Sequence, residues 1–399
     1  MIISYQEKWK SKMNYHIESI ELTPLHVPFK DYVIKAMQES DGGLGMAIPA
    51  EEAWLGGDFV IIQLKSNNGC IGLGESFIWL PETGVSPYQI IDAVKNALAK
   101  YVIGENPFNI GKINYRMDVN LARNEVAKGL IDMALYDLIG NIKEIPACYL
   151  MGGKMTEEIP LSALIPIGSP MLMKGLVRSY YKKGFRSFRL KLGNGIEQDK
   201  EVVQSIRDAL GNEIHLRVDY NQAYAPQNAI RAIKALEPYG IDFAEQPVKA
   251  SDYLGMAYVQ SRVNVPLMSH EGFFSLNDFV SLVELKAVRV LGLNSERPGG
   301  VTKAIKALNY AKMRGLGVVL HNQPLGIASA MHIHFASAKF PWIDYATELF
   351  GQEMLVDDLI AKPIDYINGY AVVPDGPGWG VKLDEDAMNK FATSDTIVL

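Results

Sequence analysis

Three short stretches of this chain end an apolar run on a side chain able to ligate a cation or move a proton. "HLRVDYNQA" (215–223) stops at Asp219, "IDFAEQPV" (241–248) at Glu245, and "VPLMSHEG" (265–272) at His270 and Glu271. Asp219 and Glu245 lie 26 residues apart, and Glu271 follows Glu245 by another 26, about one strand–helix unit each time. An acid just past a strand often caps the next helix. Three such groups at equal offsets instead point to one rim, where converging carboxylates repel unless a cation sits among them. A hard divalent ion with oxygen ligands, Mg²⁺, meets that need.

Further groups share the rim. In "FRSFRLKLG" (185–193), Arg189 and Lys191 alternate with Phe188 and Leu190, so both point to one face of a strand. A lysine held beside an arginine away from water gives up its proton more readily, which suits a general base; the alternative is two charges on an exposed strand. Asn221, two residues past Asp219, shares its face and either binds a substrate oxygen or caps. "VRVLGLNSERPGG" (288–300) ends in Asn294, Ser295, Glu296 and Arg297, and "GVVLHNQP" (317–324) in His321 and Asn322. His321 is a candidate acid or base, or a structural histidine. "IDYATELFG" (343–351) offers Asp344 and Glu348; Glu348, within the apolar segment, is the better functional candidate. Met331, His332 and His334 read as helix packing.

The elements that must position these groups have two textures. Residues 16–76 are β-rich: "IESIELTPLHVPF" alternates, and "DFVIIQLKSNNGCIGLGES" is two strands around the turn "SNNG". Between them, a connection carrying Gly42, Gly43, Gly45, Gly56 and Gly57 is too long for a simple turn. Residues 87–150 turn helical. From about 160, candidate strands at 160–167, 185–192, 214–221, 241–247, 265–271, 288–295, 317–323 and 343–350 alternate with helices. Such Val/Ile/Leu-rich strands predict a parallel sheet closed into an α/β barrel, with chemistry at the C-terminal strand ends.

Composition bounds the partners. The 399 residues carry a formal charge of −6 with no basic block, so nucleic acid is not an expected partner. Cys70 and Cys148 form neither a disulfide framework nor a metal-binding CxxC, which fits a cytoplasmic protein. No apolar run has membrane-spanning length, and the start "MIISYQEKWKSKMNY" lacks a signal-peptide core.

Together, "GLIDMALYDLIGN", "PACYLMGG", "RVDYNQAY", "AEQPV", "RPGGVTKA" and "NGYAVVPDGPGWGV" resemble the enolase superfamily, in its mandelate racemase/muconate lactonizing group. The resemblance covers about 16–385. It implies a (β/α)7β TIM-like barrel over 151–354 and an α+β capping domain over 1–150 with a C-terminal return at 355–399. It implies Mg²⁺ on Asp219, Glu245 and either His270 or Glu271, and abstraction of a proton α to a carboxylate. Register with some members favours His270, while a hard ion's preference for carboxylate favours Glu271. The usual Lys-x-Lys is Arg189-x-Lys191. Racemases and many dehydratases place an Asp where Asn294 stands, 27 residues before His321, to orient that histidine. Cycloisomerases and dipeptide epimerases carry Lys there, which argues against them.

The leading expectation is a sugar-acid dehydratase: Lys191 as base, His321 as the acid expelling the β-hydroxyl, and Glu348 hydrogen-bonded to the substrate carboxylate. Arg189, Asn221, Asn294, Glu296, Arg297 and Asn322 would make a polar rim. The alternative is a racemase or epimerase using Lys191 and His321 as opposed bases. A barrel that only binds a ligand is the third reading. Loops within 29–57 would close the mouth, with Lys30, Tyr32 and Lys35 either contacting a distal carboxylate or exposed. A homo-oligomer is expected from family habit.

Overall fold

The alternating run Ile17–Pro28 is long enough to pair along its whole length, and it does so antiparallel with Gly56–Ser66. That strand turns back through Asn67–Gly69, where Gly69 adopts φ +83°, into Ile71–Ile78. The computed structural model describes residues 15–39, 55–294 and 297–399. Gly42, Gly43, Gly45, Ser295 and Glu296, and so part of the expected mouth loops and rim, lie outside the described residues. Against the antiparallel sheet packs the helix Glu125–Lys143, buried along nearly its whole length. The fourth strand of this sheet is Ile397–Val398, which joins the free edge of Ile17–Pro28 at Glu21 and Leu22.

Eight parallel strands follow in sequence order: Ser162–Ile165, Ser187–Lys191, His215–Asp219, Ala244–Glu245, Leu267–Ser269, Val290–Leu293, Gly317–Asn322 and Glu348–Leu349. Each of the eight candidate strands read from the sequence contains one of them. Seven helices, from Pro170–Lys182 to Gly326–Ala338, form the crossovers. The ring closes where Leu161 bridges Thr347 in parallel and Ser162 N–H donates to the Thr347 carbonyl at 2.9 Å. Phe243, Met268, Val290 and Val319 plug the interior below the rim, so the barrel is a packed core.

Cap and barrel are joined through buried carboxylates on the Glu125–Lys143 helix. Asp132 accepts from Thr302 N (2.8 Å), Thr302 Oγ1 (2.6 Å) and Asn114 Nδ2 (2.6 Å). Asp137 accepts from Leu73 N (2.7 Å) and Trp379 N (2.6 Å), tying a cap strand and the C-terminal return to one helix. Here the motif glycines find their reason: a Cβ on Gly129 would stand 2.7 Å from Gly300 N. Glu75 accepts from Leu325 N (2.7 Å) and Ala328 N (3.0 Å), capping the barrel helix Gly326–Ala338 from the cap side. His332 and His334 lie buried in that helix, bonded to the Ala328 and Trp379 carbonyls.

Two outcomes follow. Asp137→Ala leaves two buried N–H groups unpaired and lowers unfolding free energy by about 2 kcal/mol or more, measured by urea denaturation. Burial holds the imidazoles of His332 and His334 down at about 4, against 6.5 ordinarily. Unfolded imidazoles bind protons below about 6.5 and these only near 4, so stability is full above pH 6.5 and falls toward pH 4. The loss approaches about 3 kcal/mol for each. Thermal melts across that range test this, and His334→Gln flattens the profile.

Candidate active site

At the C-terminal rim, strand register decides what meets what. Lys191 pairs with Asp219, Asp219 with Glu245, and His321 with Glu348. Arg189, almost fully buried, reaches the carboxylates of three strands. Its Nε donates to Glu245 Oε2 (2.9 Å), Nη1 to Glu348 Oε1 (3.1 Å), and Nη2 to Asp219 Oδ2 (2.6 Å) and Glu245 Oε1 (2.5 Å). Below it Arg217 Nη2 donates to Glu348 Oε2 at 3.2 Å. Asp344, the other acid of the eighth segment, pairs instead with Lys312 on the exterior.

Lys191 Nζ contacts Asp219 Oδ2 (2.6 Å) and Asn221 Oδ1 (2.5 Å). Against its burial, Lys191 and Arg189 hold the Asp219 carboxyl below its ordinary range. Asn221 also donates to Glu271 Oε1 at 3.1 Å, so it spans Lys191 and the fifth strand end. Asn221, Gln222 and Gln246 all have φ between +32° and +68°, a strained backbone that re-aims side chains just past the strands. Gln246 Oε1 accepts from Ser269 Oγ, His270 N and Gly272 N, which fixes the turn carrying His270.

His270 and His321 approach with ring centroids 4.3 Å apart. Their Nδ1 atoms stand 3.3 and 3.9 Å from Glu245 Oε1. Burial, reinforced by Arg189, Arg217 and Arg297, holds His321 well below its ordinary range; burial, Arg297 and His321 do the same to His270. The protonated form of both rings is therefore disfavoured. Burial, with Glu82 and Asp219, pushes the Glu271 carboxyl up to about 7. The Asn294 amide meets His270 Nε2 at 3.4 Å and its Oδ1 accepts from Arg297 N at 2.8 Å. Its placement thus serves His270, where the sequence pattern suggested an orienting partner for His321.

Two adjoining cavities open above this layer. One is lined by Phe29, Phe77, Trp79, Leu164 and Met354 with Lys191, Glu82 and Gln323. The other is lined by His270, His321, Arg297, Asn322 and Thr83 and shares the wall of Phe77, Trp79, Glu82 and Gln323. Sequence reasoning missed that wall. Glu82, from the short cap helix Leu80–Thr83, bonds Arg297 Nη2 at 2.9 Å, and Gln323 bonds Glu348 Oε1 at 2.6 Å. No spacing pattern links 77–82 to the barrel; only the position of Gln323, two past His321, carried a signal. Lys30 does not line either cavity: its Nζ donates to the Gln352 carbonyl at 2.8 Å, and Tyr32 donates to that of Glu353. These two residues fasten cap to barrel.

The chain matches the model "Enolase C-terminal domain-like" over residues 172–387 and "Mandelate racemase / muconate lactonizing enzyme, N-terminal domain" over 50–152. It belongs to the enolase superfamily, in the mandelate racemase/muconate lactonizing group. It is 30% identical over 341 residues to the N-succinyl-L-Arg/Lys racemase of Bacillus cereus, covering 85% of this chain and 91% of that one. It is 34% identical over 291 residues to a hydrophobic dipeptide epimerase of Enterococcus faecalis, covering 72% and 82%. A chloromuconate cycloisomerase of Cupriavidus pinatubonensis is 29% identical over 84% of this chain and 91% of its own. The crystal structure of the Bacillus cereus racemase superposes with a TM-score of 0.86 at 27% identity, covering 96% of this chain and 100% of that one. That of the Enterococcus faecalis epimerase, complexed with Mg and the dipeptide L-Leu-L-Tyr, gives 0.82 at 28%, covering 92% and 99%. The chain is an enzyme of this group, whose relatives act on small carboxylates, and no helix among the described residues is long and apolar enough to cross a membrane.

Members of the superfamily use Mg²⁺, an ion that demands near-octahedral oxygen coordination. Asp219, Glu245 and Glu271, at three successive strand ends, are the oxygen donors that would hold such an ion, and the buried Glu271 Oε2 has no hydrogen-bond partner. Among the described residues, donor atoms of Glu245, His270 and His321 also lie within 4.8 Å of one another.

His321 owes its place to Gly292, where a Cβ would stand 2.9 Å from both His321 Nε2 and Met268 Sδ. Gly292→Val displaces the imidazole and lowers turnover by about two orders of magnitude or more, while circular dichroism retains the barrel signature; steady-state kinetics checks it.

Proposed function

We propose that this enzyme is a racemase or epimerase, moving a proton on and off the carbon α to a carboxylate whose substituent is largely apolar. The observation that carries the reading is the double cavity. Lys191 lines one lobe, His321 the other, and one wall of Phe77, Trp79, Glu82 and Gln323 serves both. An α-carbon held against that wall would present opposite faces to the two groups.

The proton arrangement is complementary. Lys191 rests in an ion pair with Asp219 while the His321 imidazole is neutral. From this state His321 removes the proton from one enantiomer and the Lys191 ammonium returns one to the opposite face. The other enantiomer reacts from the reversed arrangement, with Lys191 as the base. Asn221 fixes the direction of Lys191, and aromatic side chains exclude water from the intermediate.

The relatives' racemase and epimerase activities support this reading over the sugar-acid dehydratase. So does the lining of the Lys191 lobe, where five apolar side chains offer little to a polyhydroxylated substrate. N-acyl amino acids and dipeptides with apolar side chains are the substrates to try first.

In D₂O, such substrates lose the α-proton signal and gain the opposite configuration, followed by proton NMR and chiral chromatography. Release of water with a 2-keto product would overturn the reading. Lys191→Ala and His321→Asn each slow racemisation by about 10²- to 10⁴-fold. Each variant keeps α-proton exchange from only one enantiomer.

A further inference from the structure

We propose that Asp199 and Tyr224 are positioning residues for Lys191: they tie the turn that follows its strand to the turn that follows Asp219, and so fix where the ammonium stands. Past Lys191 the chain leaves the barrel through residues 192–195, where Gly193 and Gly195 adopt φ +124° and +126°. Two such glycines give the turn no path of its own, so its contacts must choose one. Leu192 N donates to the Asp219 carbonyl at 2.9 Å. Gly193 N donates to Asp199 Oδ1 at 3.1 Å, and the Tyr224 hydroxyl donates to Asp199 Oδ2 at 2.8 Å. Asp199, only 2% exposed on the helix Ile196–Leu210, is thus bonded to both turns. The turns also touch directly: a Cβ on Gly193 would stand 2.7 Å from that of Ala223.

Tyr224 is itself held. Its N–H donates to the Pro247 carbonyl at 3.0 Å, and its ring packs edge-on against Tyr220 at 5.3 Å between centroids. Tyr220 is the residue between Asp219 and Asn221, the two groups that Lys191 Nζ contacts. The clasp therefore holds the lysine against its own partners. Among the described residues, the side-chain bonds of Asp199 and Tyr224 fall on the Lys191 side, while His321 stands against Gly292 and His270. Loss of the clasp thus disturbs one proton-transfer group and spares the other. A displacement of about 1 Å at a reacting group costs on the order of 10²-fold in rate. The kinetic consequence rests on the racemase reading; the placement of Lys191 does not.

The test is α-proton exchange in D₂O from each enantiomer of an N-acetyl amino acid with an apolar side chain, followed by proton NMR in the wild type, Tyr224→Phe and Asp199→Ala. The enantiomer whose exchange Lys191→Ala abolishes exchanges about tenfold or more slowly in both variants. Exchange from the other enantiomer stays within about threefold, which a general loosening of the fold would not allow. In parallel, trace labelling of Lys191 with acetic anhydride is read by peptide mass spectrometry against the exposed Lys362. Labelling quickens by about threefold or more in Tyr224→Phe, as the amine leaves its ion pair with Asp219. Equal loss from both enantiomers, or unchanged labelling of Lys191, overturns the proposal. No exchange from either enantiomer in the wild type overturns the racemase reading instead, and the labelling then decides the proposal alone. Tyr224→Phe removes a single hydroxyl, so it carries the decision should Asp199→Ala not fold.

Discussion

Three carboxylates from the third, fourth and eighth barrel strands are brought together out of water, and the guanidinium of Arg189 is what lets them stay. It touches all three at once. Removing one partner from a buried ion pair typically costs about 3–5 kcal/mol, because the remaining charges lose compensation. The constraint reaches beyond neutralisation. Arg189 and Lys191 share a strand and a face, so fixing the first sets the height of the second against Asp219.

The site belongs to no single part of the chain. The barrel supplies Lys191 and the charged layer beneath it; the cap supplies Phe29, Phe77, Trp79 and Glu82, and with them much of the apolar wall. The two halves meet through an ion pair between Glu82 and Arg297, through Asp132 with Thr302, and through Lys30 with the Gln352 carbonyl. On the proposed reading, that wall suits an acyl or peptidyl substituent better than the hydroxyls of a sugar acid.

What was legible in the sequence follows from what is periodic. Strand–helix alternation put Asp219, Glu245, His270, Asn294, His321 and Glu348 on one rim, because each ends a strand of the same ring. Alternation within one strand paired Arg189 with Lys191. Contacts of long range left no period. Glu82 reaches Arg297 across 215 residues, and Gly292 matters because His321 and Met268 lie against it. Lys30, read from sequence as either contacting a distal carboxylate or exposed, has as its partner a carbonyl 322 residues away. Residue types at strand ends suggested a polar rim; the apolar lining above it comes from the cap, whose approach no local pattern encodes.

The strand Ile397–Val398 completes the edge of the very sheet that Ile17–Pro28 begins, and Trp379 locks onto Asp137 of the cap helix. During synthesis, then, the amino-terminal sheet waits on an emerging tail before it can finish. The usual order, in which the earlier domain matures first on the ribosome, is reversed for the cap: the nascent barrel has all its strands in hand while its cover is still one strand short.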